Sequence, residues 1–489
     1  MRTLLNKGLI AALALLLTLG VFSGAAWAKT ITVSNTGNDT ACATTPPTAP
    51  CATITKAVGL ASAYDIIQVL PGVYSPTAVI SITTPNLTIS GAGPSTIIDG
   101  SGIAATAADT AILDVQANDV TLENFRIQGA NGAGVSPCAG ATPAVGNAAI
   151  RVGSPGLVVT GFTIREVEVT GNAVGIDVCT SNNGQILNSN IHDNTDPAQA
   201  ANWIGLVLDS ANNVVVANNT FSNVPNGGPL GGPPGATATA GGTGILLVGT
   251  GATATTASWA NTIRDNTFSG FRGETLVTLT TAVNLGAFSG RTVPAPTISG
   301  NMIESNTFQI LASTSSFSSK GVLLSAATAA GNVIRNNTFD RQIDLAGNTV
   351  GQDGIFFSAA ATNTLISGNR FQGLLEKVLP VPLLGGSGID FSASVAGMDT
   401  FVTDNLFTNN TSGITFTKVL AITSQNDQFT RNRIVNNTFG VHVLVVPTAA
   451  ANEIFTQNNI EHNATGWSFT KRGGTAVLNL TGAFSAVNN

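Results

Sequence analysis

Charge is scarce in this chain: 9% of its 489 residues are Asp, Glu, Lys or Arg, and it holds only 3 His, 3 Met, 2 Tyr and 4 Cys. The shortage of Glu and Lys excludes long coiled coils and large helical bundles, whose exposed faces are built from them. With 20 Lys+Arg against 26 Asp+Glu, a formal charge of −6, the chain lacks the clustered base that neutralises phosphates. Nucleic acid is therefore not an expected partner. The three His, at 192, 442 and 462, have no ligand partner at helical or hairpin spacing, so neither a metal nor another cofactor is expected. What is plentiful is Gly, with 54 copies, Phe, with 22, and Thr, Asn, Ser, Val and Ile, a composition of short strands and tight turns.

Residues 1–28 read as a targeting segment. Arg2 and Lys7 precede an apolar run from Leu9 to Phe22, and Ala26-Trp27-Ala28 places small residues where a signal peptidase reads. Cleavage before Lys29 is expected. No later run is long and apolar enough for a spanning helix, so the expected product is secreted or held at the cell surface, with the periplasm as the other destination. An even count of Cys fits an oxidising compartment, and the favoured pairing joins Cys42 to Cys51 and Cys138 to Cys179.

Self-similarity runs through most of the remaining chain. One motif reads Gly, apolar, any, apolar; it starts at Gly175-Ile176-Asp177-Val178 and recurs at Gly205, Gly244, Gly321, Gly354, Gly388, Gly413, Gly440 and Gly466. Leu276-Val277-Thr278-Leu279 is expected to fill the gap before Gly321 with a copy that lacks its Gly. A second motif alternates with the first and reads apolar, two residues, Asn, one residue, Phe or Ile. Its Asn positions are Asn219, Asn266, Asn306, Asn337, Asn369, Asn405, Asn437 and Asn458. Three short strands per repeat cannot bury a face alone, but stacked repeats let every strand pair with its copies above and below, which makes a coil of parallel strands about 4.8 Å apart. The eight Asn should then form a hydrogen-bonded ladder at a left-handed turn, with the Phe residues stacked beside it. A sealed interior also accounts for the near absence of Tyr, whose hydroxyl would find no partner there.

Toward the N-terminus the second motif persists with Phe in place of Asn, at Leu122 to Ile127 and at Val159 to Ile164; Ile66 to Tyr74 and Val79 to Ile82 read as first turns, and Ile54 to Ala63 as a short helix. These features together resemble right-handed parallel β-helix proteins, the fold of the pectate lyase superfamily. Cys51 to Val58, continued through Pro71-Gly72-Val73-Tyr74, looks like their N-terminal cap and first turn. The resemblance implies an all-β, single right-handed parallel β-helix of about 13 to 14 turns, with a capping helix. The expected division is residues 1–28 as signal peptide, 29–79 as cap and first turn, and 80–489 as β-helix. At one end Trp467 and the tail from Gly482 are candidates for a second cap.

In that superfamily the cleft lies over the strand matching the Gly motif, whose third position points outward. The outward column is Arg151, Asp177, Val207, Leu246, Leu323, Phe356, Asp390, Thr415, His442 and Ser468, with Asp209 one outward position further along its strand. Asp177 and Asp209 form the best carboxylate pair, roughly 8 Å apart from rise and rung spacing, and with Arg151 they are the catalytic candidates. An ordinary Arg151–Asp177 surface ion pair is the competing reading. Asp390, His442 and Phe356 are candidate binding residues. The middle of the column is apolar and should be roofed by the insertions Asn223 to Gly242 and Gly290 to Gly300. The chain has no Asp-His dipeptide, no Gly-His-Gly and no Arg-x-Pro-x-x-Arg, which the pectin-acting relatives carry. The expectation is a non-catalytic extracellular scaffold or rod whose partner is a polysaccharide or cell-surface glycan. The alternative is a polysaccharide lyase or glycoside hydrolase with a diverged site on the outer face of that strand.

Overall fold

The computed structural model describes residues 28–43, 49–104, 111–130, 147–154, 156–194, 202–222, 241–248, 258–271, 281–285, 297–311, 319–325, 328–342, 351–358, 361–376, 385–392, 399–417, 427–443, 453–469 and 484–487. The signal segment, apart from Ala28, and Cys138 lie outside them, as do most of the two insertions expected over the apolar column. The described chain is a right-handed parallel β-helix. Three long parallel sheets of 15, 13 and 13 strands run its length, joined by a small sheet of 4 strands at one corner. Each turn contributes one strand to each long sheet, in the order of the chain. The 15-stranded sheet is termed A, the sheet that follows it in each turn B, and the sheet carrying the Gly motif C.

The repeat motifs map onto this architecture residue by residue. The apolar residue that opens the second motif is the inward centre of a sheet A strand: Ile263 pairs with Ile303, then Ile334, Ile366 and Val402. Its Phe is the inward centre of a sheet B strand. Phe221, Phe268, Phe308, Phe339, Phe371 and Phe407 form a column with ring centroids 4.7 to 5.0 Å apart and nearly parallel planes. The Gly of the first motif exists because of that column. A Cβ on Gly354 would lie 2.5 Å from the Phe371 ring and 2.5 Å from the carbonyl oxygen of Gly388 on the next rung.

Between sheets A and B an asparagine column runs Asn219, Asn266, Asn306, Asn337, Asn369, Asn405, Asn432 and Asn458. Each Nδ2 donates to the next Oδ1 at about 3.0 Å, and each Oδ1 also accepts the backbone N–H of the residue below. The register departs from the sequence reading at one rung. Asn437 stands at the next corner, between sheets B and C, where it bonds Asn410 and Asn463. Two copies of the motif overlap there: Phe429, Asn432 and Ile434 span the A–B corner, so Ile434 pairs with Phe407 in sheet B, and Phe439 begins a sheet C strand. The left-handed residue is also not the ladder Asn but the one before it, at Asn218, Asp265, Ser305, Asn336, Asp404, Arg431 and Gln457. Positive φ there turns the chain, which frees the following amide to point along the stack.

The corner is filled differently near the N-terminus. Phe125 and Val167 are buried where later turns have Asn, and Ser189 links them to the ladder by donating its N–H to Asn219 Oδ1. Phe162 occupies another column, at the entry to sheet A, and Gly184 on the next rung leaves room for its ring. A second amide stack, Asn261, Asn301 and Asn332, continues at that entry corner. Residues 276–279 lie outside the described residues; the sheet C strand of that turn is Thr281–Leu285, with Ala282 in the Gly place and Asn284 in register with Leu246 and Leu323.

The N-terminal end is closed by the helix Ile54–Leu60, capped by the Thr53 hydroxyl and burying Ile54, Ala57 and Val58. It packs on the first strands of sheets A and C. Cys42 and Cys51 are disulfide-bonded, and Cys51 bridges to Val33, which ties the cap to the first strand of sheet A. Cys179 is disulfide-bonded as well, and its expected partner falls outside the described residues. Toward the other end Trp467 packs edge-on against Phe455, 4.8 Å between ring centroids, and Phe484–Val487 adds a last strand to sheet A.

Candidate functional site

Sheet C carries the residues singled out by the sequence, and its register sets them in one outward file: Ser81, Asp114, Arg151, Asp177, Val207 and Leu246 are successive partners, and Phe356, Asp390, Thr415 and His442 follow further along. Asp209 pairs with Cys179, two positions beyond Asp177 and on the next rung. From Asp114 to Leu246 this face is closed. Arg151, Asp177 and Asp209 are 8%, 1% and 0% exposed. The guanidinium Nε of Arg151 donates to Asp114 Oδ1 at 3.0 Å, on the rung preceding its own, and Asp114 Oδ2 accepts from Gln116. Asp209 Oδ1 accepts from the Ser210 hydroxyl. Next to them Ala148, Val174, Ile204, Val207, Leu246 and Val248 form a separate buried apolar cluster on the outer side of the sheet.

Further along, the same face gathers ionisable groups. Lys320 and Asp353 are register partners, as are Phe356 and Asp390 on the neighbouring positions. The Lys320 ammonium lies 4.4 Å from the centroid of the Phe356 ring, an attraction strengthened by burial. Asp353 Oδ1 accepts the N–H of Ser387, and Asp390 Oδ1 accepts the Thr417 hydroxyl at 2.7 Å. Burial, reinforced by the Asp353 charge, pushes Asp390 up to about 8 against the pull of Thr417 and Lys320. The same two causes raise Glu376 to about 7. Lys320 is held below its ordinary value by burial, with Asp353 and Asp390 opposing. Two carboxyls raised toward neutrality by the same Asp353, one of them acting on a buried amine, form the kind of constellation that can hold or pass a proton near neutral pH.

Sequence reasoning reached Asp390 and Phe356 but missed Lys320, Asp353 and Glu376. The first two immediately precede a motif Gly, and the outer apolar cluster includes Ala148, Val174 and Ile204 near the start of their strands as well as the third-position residues Val207 and Leu246. A strict period of two counts only the latter. His442, followed in the file by Ser468, lies against Phe439 with ring centroids 4.3 Å apart and near the Ser412 hydroxyl; burial lowers it to about 4. His192 lies on sheet B, between Asp193 at 2.9 Å and Glu168 at 3.1 Å, and its bond to Asp193 raises it. Asp39, beside the Cys42–Cys51 disulfide, accepts from the N–H groups of Ala52 and Thr53 and from the Thr53 hydroxyl, so its carboxylate serves the cap.

A third feature is open. At the entry to sheet A, Thr160, Asn182, Asn212 and Trp259 bridge in succession, and a groove beside them is lined by Val158, Asn183, Asn213 and the Trp259 side chain.

No protein-family model matches the chain, nor does any curated relative. Among solved structures, it is similar to a mannuronic-acid-specific polysaccharide family 6 lyase from human gut microbiota, at 13% identity over 88% of this chain and 89% of that one, TM-score 0.49. It is also similar to a mannuronan C-5 epimerase A-module of Azotobacter vinelandii, at 13% identity over 89% and 93% of the two chains, TM-score 0.44. A surface adhesin of Streptococcus pneumoniae is similar at 11% identity over 80% and 82%, TM-score 0.48.

Proposed function

We propose that the chain is a secreted β-helix rod that binds polysaccharide without cleaving it. The observation that carries this reading is the closure of the sheet C face: the carboxylates and the cation that hydrolysis or elimination would need are buried, and Arg151 is engaged by Asp114. Outside, the rod offers one regular, uncharged stretch among surface ion pairs such as Arg335–Glu304 and Arg431–Asp404. Thr220, Thr267, Thr307 and Thr338 are register partners on the outer side of sheet B, a row of hydroxyls about 4.8 Å apart. Such spacing matches hydroxyl groups that repeat along an extended sugar chain.

One observation favours a second reading, a polysaccharide lyase or glycoside hydrolase: Lys320, Asp353, Asp390 and Glu376 could supply a proton donor and acceptor. Its centre would be this cluster and not Asp177 and Asp209. The two readings separate in one experiment. The mature protein is incubated with acidic and neutral polysaccharides while reducing ends and unsaturated products are followed, alongside Asp390→Asn and Asp177→Asn. Binding without turnover, unchanged in both variants, is expected. Turnover abolished by Asp390→Asn would replace the rod with the enzyme.

A further inference from the structure

We propose that the groove at Trp259 is a subsite for a neutral, extended hexopyranose chain running parallel to the helix axis. This rests on the reading of the chain as a polysaccharide-binding rod and names where and what it binds.

The parallel bridges Thr160 to Asn182, Asn182 to Asn212 and Asn212 to Trp259 make the groove three rungs long, about 14 Å. Its volume is about 260 Å³, suited to seating rings side-on. One end is the exposed Val158 and the other is Trp259, 53% and 40% exposed. An indole at this position is costly to leave in water, and among the described residues the rungs beyond it carry only small side chains: its register partners in order are Ser299, Ala330 and Thr362. Trp259 keeps 40% of its surface exposed beside them. A flat apolar face beside hydrogen-bonding groups is what a pyranose requires, since its C–H face stacks on an aromatic ring while its hydroxyls seek partners at the edge.

Those partners are amides. Asn212 is held rigidly: its Oδ1 accepts the backbone N–H of Trp259 and its Nδ2 donates to Asn182 Oδ1, both at 3.1 Å. Asn183 and Asn213, one rung apart, sit in left-handed turns that present their side chains to solvent. Each amide offers two donors and one acceptor to a pair of neighbouring hydroxyls. They repeat about every 4.8 Å in a straight file along the axis, a course that an extended chain can follow and a coiled one cannot. Among the described residues no Lys, Arg, His, Asp or Glu lines the groove, so none of them would select a uronate.

The test is titration of the mature protein with cellohexaose, with maltohexaose and a galacturonate hexamer as controls, and of Trp259→Ala, Trp259→Phe and the double variant Asn183→Ala/Asn213→Ala. Cellohexaose should bind best. Trp259→Ala should weaken it at least about tenfold with an unchanged melting temperature, because the ring is exposed; Trp259→Phe should recover most of the affinity; the double amide variant should lose severalfold. Raising salt from about 50 to 500 mM should change the wild-type affinity less than about twofold, as expected for an uncharged ligand. Wild-type affinity in Trp259→Ala would overturn the subsite while leaving the rod in place. Tighter binding of the galacturonate or malto-oligomer would overturn the ligand class. A wild type that binds none of these sugars, nor any glycan on a broad array, would remove the rod reading itself.

Discussion

Replacing Asn337 by Leu removes four side-chain hydrogen bonds from a dry corner. Its Nδ2 donates to Ile303 O and to Asn369 Oδ1, and its Oδ1 accepts both the backbone N–H and the Nδ2 of Asn306. Leucine matches the volume, so the loss is mainly of partners. Two donors on Asn306 would be left buried and unsatisfied, at about 1–3 kcal/mol each, which places the cost on the order of 2–6 kcal/mol. Asn458→Leu should cost less than half as much. Asn458 is itself partly exposed where Asn337 is buried, and an end rung can relax so that water takes up part of what is lost. The corner itself accepts apolar residues, as Phe125 and Val167 show on earlier turns, so the penalty lies in the junction between amide and hydrocarbon. It follows that Asn306→Leu combined with Asn337→Leu should be less destabilising than the sum of the single changes, by about one buried polar group, on the order of 1–3 kcal/mol. Urea unfolding at unchanged m-value measures all four proteins, and amide hydrogen exchange at residue 306 reads the rung directly. Equal losses at positions 337 and 458, or a strictly additive double variant, would refute the ladder as a source of stability.

Two further outcomes follow from single positions. Gly354→Ala should destabilise by about 1–3 kcal/mol or more, since its Cβ would press on both the Phe371 ring and a neighbouring strand, whereas Gly331→Asn, at φ 62° with open space around it, should be close to neutral in the same melt. Burial holds His442 at about 4, below the 6.5 of the unfolded chain, so the unfolded state takes up a proton first and stability falls as pH drops from about 6.5 to 4. His442→Gln should abolish that fall: the stability difference between wild type and variant should rise across this window and stay flat above it. A difference independent of pH would contradict the burial of the neutral ring. Asp390 and Glu376, being raised from 3.8 and 4.5, act in the opposite direction, with stability lost as pH rises from about 4 to about 7 to 8, but they are common to both proteins and cancel.

The fold was legible because a solenoid repeats its local rules. A Gly that must clear the Phe column, an Asn that must reach its copy one rung away, and an inward Ile or Val recur on nearly every turn, so the sequence by itself determined the parallel coil, most of the ladder and the outward file on sheet C. It could not separate two corners that use the same motif. Asn432 and Asn437 both follow an apolar residue by three and precede one by two, and only pairing of Ile434 with Phe407 decided which joined the ladder. Tertiary structure alone decided the sites. Burial of Asp177 and Asp209, the engagement of Arg151 by Asp114, the gathering of Lys320 and Asp353 with Asp390, and the open groove at Trp259 all depend on which residues from separate turns meet and on what reaches water. Period and spacing determine the direction in which a side chain leaves a strand; they carry no information about what lies above it.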